Sequence, residues 1–222
     1  TWTARRWRKV QSMKCDKKTM LLYAVTDRMW VGKQTLAQQV ADALQGGVTC
    51  VQLREKQLDD TAFLQEALEL KALCQSYKVP FIVNDNVTVA AACHADGIHV
   101  GQHDMQAQNV RARVGAGILL GVSVQTVAQA VEAQKNGADY LGVGAVFPTA
   151  TKADADAVPY ETLKAICEAV QIPVVAIGGI NKDNLLQLSG SGIDGVALVS
   201  AIFGSKEIKQ ACRQLRTLSQ RW

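Results

Sequence analysis

Residues 79–86 read VPFIVNDN. An apolar run from Val79 to Val83 stops at Asn84, Asp85 and Asn86. The design returns at residues 97–104, GIHVGQHD, where the run ends toward Asp104. Short runs without polar alternation are strands covered on both faces, as in parallel sheets. Working outward, six more such runs appear: MLLYAVTD (20–27), TCVQLRE (49–55), ILLGVSV (118–124), DYLGVGAVF (139–147), PVVAIGGI (173–180) and GVALVSAI (195–202). Amphipathic segments separate them, among them TLAQQVADALQGG, DTAFLQEALELKALCQSYK, TVAQAVEAQKNGA and YETLKAICEAV, and KEIKQACRQLRTLSQRW closes the chain. Gly46-Gly47, Gly137 and Gly190 stand where helices end. Eight strand–helix units in 222 residues predict an α/β fold, a single-domain (β/α)8 TIM barrel over residues 20–222. A doubly wound open sheet is the alternative. Its usual glycine-rich fingerprint is missing after the first strand, where the chain reads VTDRMWVGKQ.

Composition sets the class. The chain is 48% hydrophobic and 20% charged, an ordinary globular balance with no apolar stretch of membrane-spanning length. The net charge of +4 is uneven: seven of the 24 Lys/Arg and one of the 20 acids lie in residues 1–20, leaving a body of net −2. That body carries no nucleic-acid footprint. The basic stretch 1–19 lacks the apolar segment of a signal peptide. Of the two remaining readings, a transit peptide and an upstream extension with Met13 or Met20 as the start, we favour the extension and expect it to be disordered. The six cysteines show no C-x-x-C spacing and read as reduced, buried small hydrophobes in a cytoplasmic protein. His94, His99 and His103 lack zinc-ligand spacing, and His99 reads as a packed strand residue.

In a barrel, chemistry sits where strands end. In VQLREK, Val51 and Leu53 take one face, while Gln52, Arg54 and Lys56 take the other and point inward at the mouth. Two cations there need an anionic partner: an internal carboxylate such as Glu55 or Asp85, or, as we expect, a bound anion. Asn84, Asp85 and Asp104 reach the same rim. Asp85 and Asp104 are each able to cap a following helix, but two carboxylates from adjacent strands favour Mg²⁺ with a substrate diphosphate. A second anion site is expected at Gly178-Gly179 and Ser200, after strands seven and eight. Between the two sites, VFPTATKADADA offers Thr149, Thr151 and Lys152 on a lid-like loop. Ser123 is not in a nucleophile elbow, and no nucleophile–base pair stands out.

QLREK, FIVNDN, ADGIHVGQHD, LGVSV, GADYLGVGAVFPTATK, AIGGI and GVALVSAI together resemble the thiamine-phosphate synthase (thiamine-phosphate pyrophosphorylase) family over roughly residues 20–205. The resemblance implies a transferase that joins 4-amino-5-hydroxymethyl-2-methylpyrimidine diphosphate to 4-methyl-5-(2-phosphoethyl)thiazole. Diphosphate leaves first, with Mg²⁺ as cofactor, and the thiazole nitrogen captures a pyrimidine-methyl cation. It further implies that Gln52, Leu53, Arg54, Glu55, Lys56, Asn84, Ser123 and Lys152 bind the pyrimidine diphosphate. Of these, Arg54, Lys56, Ser123 and Lys152 are the catalytic groups. Asp85 and Asp104 hold Mg²⁺, and Thr149, Ala150, Thr151, Gly179, Val199 and Ser200 bind the thiazole phosphate. His103 and Gln125 stand where the family often has Glu and His.

The partners implied are these two small molecules, with neither nucleic acid nor membrane; nothing in the sequence decides between a monomer and a homo-oligomer. A thiazole tautomerase of the same fold would not need the diphosphate and metal set. A phosphosugar isomerase or epimerase would need a general base at the mouth. A non-catalytic thiazole-phosphate sensor would gain nothing from a metal pair.

Overall fold

The computed structural model describes residues 15–101, 107–149 and 157–221. Its centre is a closed barrel of eight parallel strands, each paired with the next and the last with the first. They are β1 Leu22–Val25, β2 Cys50–Leu53, β3 Phe81–Asn84, β4 Gly97–Val100, β5 Leu119–Val124, β6 Tyr140–Val143, β7 Val174–Ile177 and β8 Gly195–Leu198. Closure is direct: Tyr23 pairs with Cys50 on one side and Ala197 on the other. Every predicted strand is present. The longest prediction, 139–147, overran because Gly144 to Phe147 already belong to the loop after β6.

Nine helices surround the strands among the described residues: α1 Lys17–Met20, α2 Leu36–Gly46, α3 Asp60–Ser76, α4 Val87–Ala92, α5 Ala107–Val114, α6 Val127–Lys135, α7 Tyr160–Ala169, α8 Ser200–Phe203 and α9 Ile208–Ser219. Their starts follow local chemistry. Thr35 and Gln38 close a capping box on α2, and Asp59 accepts from the Ala62 amide at the start of α3. Gly47 ends α2 at φ 95°, a conformation open to glycine at little cost. Between β7 and β8 the crossover is only a short 3-10 helix, Leu185–Leu188. None of these helices is long and apolar enough to cross a membrane.

Two layers of core follow from period-two alternation. Tyr23, Val25, Cys50, Ile82, Leu119, Tyr140, Val175 and Ala197 fill the barrel's interior. Their neighbours Ala24, Val51, Leu53, Val83, Ile98 and Leu120 pack outward under the helices. Val51 and Leu53 are fully buried on that helix side, as the alternation in VQLREK requires.

The expected tail through residue 19 is corrected at its end. Asp16 caps α1, Lys17 pairs with Asp194 at 2.8 Å, and Cys15 packs on the interior cluster together with fully buried Met20. An apolar face at Met20 needs cover, and the preceding residues supply it. The rest of the basic extension, residues 1–14, lies outside the described residues.

Candidate active site

The strands' C-terminal ends converge on one mouth, where side chains following β2 and β3 meet. Arg54 donates from Nη1 to Asp27 at 2.9 Å, and its backbone amide is bound by Thr26 Oγ1 at 3.0 Å. Lys56 Nζ reaches Asp85 Oδ2 at 2.7 Å, and Asn84 Nδ2 donates to the same oxygen at 2.6 Å. Both predicted cations therefore have carboxylate partners. For Lys56 it is the predicted Asp85; for Arg54 it is Asp27, a residue the sequence reading passed over. Asp27 also accepts from the Met29 amide, so its DR dipeptide reads as a turn as readily as an ion-pair partner.

Asp85 does not cap a helix. The N-cap of α4 is Asn86, whose Oδ1 accepts from the Val89 amide at 2.9 Å. Asp85 instead holds φ 61°, in the left-handed region. Lys78 and His94 share that region, but each follows the end of a helix, where it is common. Asp85 lies between a strand and a helix. Its unusual backbone (its amide donates to the His99 carbonyl at 2.9 Å) turns the carboxylate across the rim toward Lys56. Local strain of this kind concentrates at functional sites.

The side chains of Glu55 and Leu53 have partners within the protein. The Glu55 side chain is tied within the loop: Oε1 accepts from the Lys56 and Gln57 amides and Oε2 from Arg28, which also clamps Glu66. Burial works to raise the Glu55 pKa, but these hydrogen bonds outweigh it and hold the carboxyl below its usual range. Glu55 shapes the loop that presents Lys56. Leu53 faces the helices, so only its backbone borders the mouth.

On the opposite rim, Gly178 and Gly179 take φ values of 99° and 66°. A Cβ on Gly179 would stand 2.5 Å from the Pro148 carbonyl, so glycine is needed for both conformation and close approach. Asn184 Nδ2 binds the Gly179 carbonyl at 2.9 Å. Ser200 is exposed at the start of α8 beside half-buried Val199, and half-buried Thr149 lies on the loop after β6. Asp104, Ala150, Thr151 and Lys152 lie outside the described residues.

The barrel's interior holds two tyrosines that sequence reading missed, Tyr23 and Tyr140. Gln52, 5% exposed, donates from Nε2 to the Tyr23 hydroxyl at 2.8 Å. The Tyr23 and Tyr140 hydroxyls are 2.7 Å apart, Tyr140 lies 3.1 Å from His99 Nδ1, and His99 Nε2 lies 2.9 Å from Ser123 Oγ. His99 is packed, as expected, yet it is also a polar link between two strands. Parity would have found the two tyrosines: Tyr23 and Tyr140 occupy interior positions of their strands, as Gln52 does.

Comparison with known proteins agrees with this geometry. The family model described as thiamine monophosphate synthase matches residues 22–202. The chain is 47% identical over 194 residues to a thiamine-phosphate synthase of Clostridium tetani, covering 87% of this chain and 93% of that protein. It is 50% identical over 194 residues to one of Ruminiclostridium cellulolyticum, covering 87% and 92%. A solved thiamine phosphate pyrophosphorylase from Pyrococcus furiosus superposes with a TM-score of 0.85 at 38% identity, covering 92% of this chain and 97% of that one. With eight strands, rim motifs and sequence in agreement, the chain belongs to the thiamine monophosphate synthase family.

Proposed function

We infer that the chain joins 4-amino-5-hydroxymethyl-2-methylpyrimidine diphosphate to 4-methyl-5-(2-phosphoethyl)thiazole, forming thiamine phosphate and releasing diphosphate. Family membership over residues 22–202 supports the reaction. The observation that carries it to particular residues is the rim pair Lys56–Asp85, held in place by a left-handed backbone that no helix end explains.

Asp85 suits Mg²⁺. It offers hard oxygen donors at a partly open rim, and Mg²⁺ needs only one or two carboxylates beside substrate phosphates and water. Among the described residues no three His, Cys, Asp or Glu gather into a protein-only cage. Asp104 is the proposed second carboxylate. When bound, Mg²⁺ would neutralise charge on the departing diphosphate.

The chain's own residues do the rest. Arg54 and Lys56 turn from Asp27 and Asp85 toward the diphosphate, aided by Lys152. Asn84 orients Asp85, and Gln52 and Ser123 position the pyrimidine. The methylene C–O bond breaks with its electron pair passing to diphosphate; the thiazole nitrogen's lone pair then forms the C–N bond. Gly179, Thr149, Thr151 and Ser200 hold the thiazole phosphate. No protein nucleophile is required: the interior thiol, Cys50, is fully buried, and burial pushes its pKa well up. The six unpaired cysteines accord with a reducing, cytoplasmic setting.

The test is turnover of the two phosphorylated substrates with Mg²⁺ or with EDTA, followed as thiochrome fluorescence. Product only with Mg²⁺ is expected. Thiazole phosphate binding without product would favour a tautomerase or sensor instead.

A further inference from the structure

Lys56 meets the rim from a loop that is itself held by side chains outside β2. The register of β1 on β2, in which Val25 stands beside Gln52, continues past the sheet as two ion pairs. Asp27 meets Arg54 at 2.9 Å and Arg28 meets Glu55 at 2.7 Å, each at the same offset of 27 residues. The Arg28 guanidinium is shared. Its Nε donates to Glu55 Oε2, while Nη2 donates to Glu66 Oε1 at 2.7 Å and Oε2 at 2.8 Å. Glu66 lies on α3, the longest helix among the described residues. Glu55 Oε1 in turn takes the Lys56 and Gln57 amides, both at 2.8 Å. An unbroken line of charged hydrogen bonds therefore runs from a helix to the backbone of Lys56.

The line does more than bury surface. The Glu55 side chain is 1% exposed, and a carboxylate there is costly unless paired, whereas an apolar residue would pack without a partner. What the carboxylate supplies is direction: one oxygen holds two successive amides and fixes the turn where the chain leaves β2. Lys56 needs that. Its side chain is 53% exposed on a long, flexible stem, so the rim ion pair holds it weakly and its backbone sets its reach. Arginine suits the junction, because its planar fork spans two carboxylates at once, where a lysine ammonium is a point charge.

We propose that Arg28, anchored on α3 by Glu66, is a positioning residue for the diphosphate: through Glu55 it fixes the backbone from which Lys56 reaches the anion. The proposal rests on the assignment of Lys56 to the diphosphate.

The test is calorimetry of the full chain with inorganic diphosphate and Mg²⁺, and with thiazole phosphate as the second ligand. Arg28→Gln should weaken diphosphate binding about tenfold, since roughly one residue's backbone freedom must then be frozen on binding. It should leave thiazole phosphate binding unchanged. Arg28→Lys, which keeps a cation beside Glu55, should recover part of the loss. In a Lys56→Ala background Arg28→Gln should cost nothing further. Glu66→Gln keeps the Arg28–Glu55 pair and so guards against a variant that merely fails to fold; it should weaken diphosphate binding alone, by about threefold. Unchanged diphosphate affinity in Glu66→Gln, equal losses for both ligands, or additive losses with Lys56→Ala would overturn the proposal. A parent chain that binds no diphosphate would overturn the assignment of Lys56 and the proposal with it. Diphosphate binding without turnover would overturn the proposed reaction alone, because affinity is read without it.

Discussion

Asp85 separates stability from function. A non-glycine residue in the left-handed region costs about 1–2 kcal/mol, and aspartate somewhat less because it tolerates that region. Asp85→Gly removes the strain. It also adds about 0.4–1 kcal/mol of unfolded-state entropy and loses a rim ion pair worth about 0–1 kcal/mol, since the Lys56 side chain is 53% exposed. These terms oppose one another, so the variant should stay within about 1 kcal/mol of the parent, or about 2–4 °C in Tm. Asp85→Asn keeps the shape and the backbone preference and should be equally stable. Turnover should nevertheless fall at least about 100-fold in both, the scale of removing a group that stabilises developing charge. Asn86→Ala should behave in the opposite way: it removes the α4 cap and costs about 0.5–2 kcal/mol, while Mg²⁺-dependent turnover persists. The assays are urea melts and thiochrome-detected turnover. Turnover retained in Asp85→Asn, or a loss of more than about 2 kcal/mol in Asp85→Gly, would refute the reasoning and make Asp85 a structural residue.

Other outcomes follow from the same structure. Gly121→Ala should destabilise the barrel by about 1–3 kcal/mol in a urea melt, because the new methyl meets two packed rings. Glu55 has a lower pKa folded than unfolded, so its contribution is present at neutral pH and fades as pH falls through its folded pKa. Stability measured from neutral pH down through the range below about pH 4 should therefore decline less steeply in Glu55→Gln than in the parent. Burial pushes the Cys74 and Cys212 thiols up to about 12, so a thiol-specific reagent should label them slowly in the folded chain and rapidly in urea.

The barrel was legible because its signals are local. Each strand is a short apolar run, several helices carry their own stop or cap, and counting eight units needs no contact information. The rim was legible in part for the same reason: alternation in VQLREK sends Gln52 inward and Val51 and Leu53 outward wherever the strand lies. Partnership was not legible. Alternation says which face Arg54 takes but not that Asp27, 27 residues away, will meet it. Nor does FIVNDN say that Asn86 takes the cap and leaves Asp85 to the rim, since each residue is competent for either task. The interior chain is furthest from sequence. Tyr23 and Tyr140 are separated by 117 positions and come within 2.7 Å only because the sheet closes on itself. By itself, then, the sequence determined the elements, their order and the facing of each side chain, through propensity and period. Only tertiary structure decided which polar groups meet, because that depends on closure and register, where residues remote in the chain share one small, water-poor space.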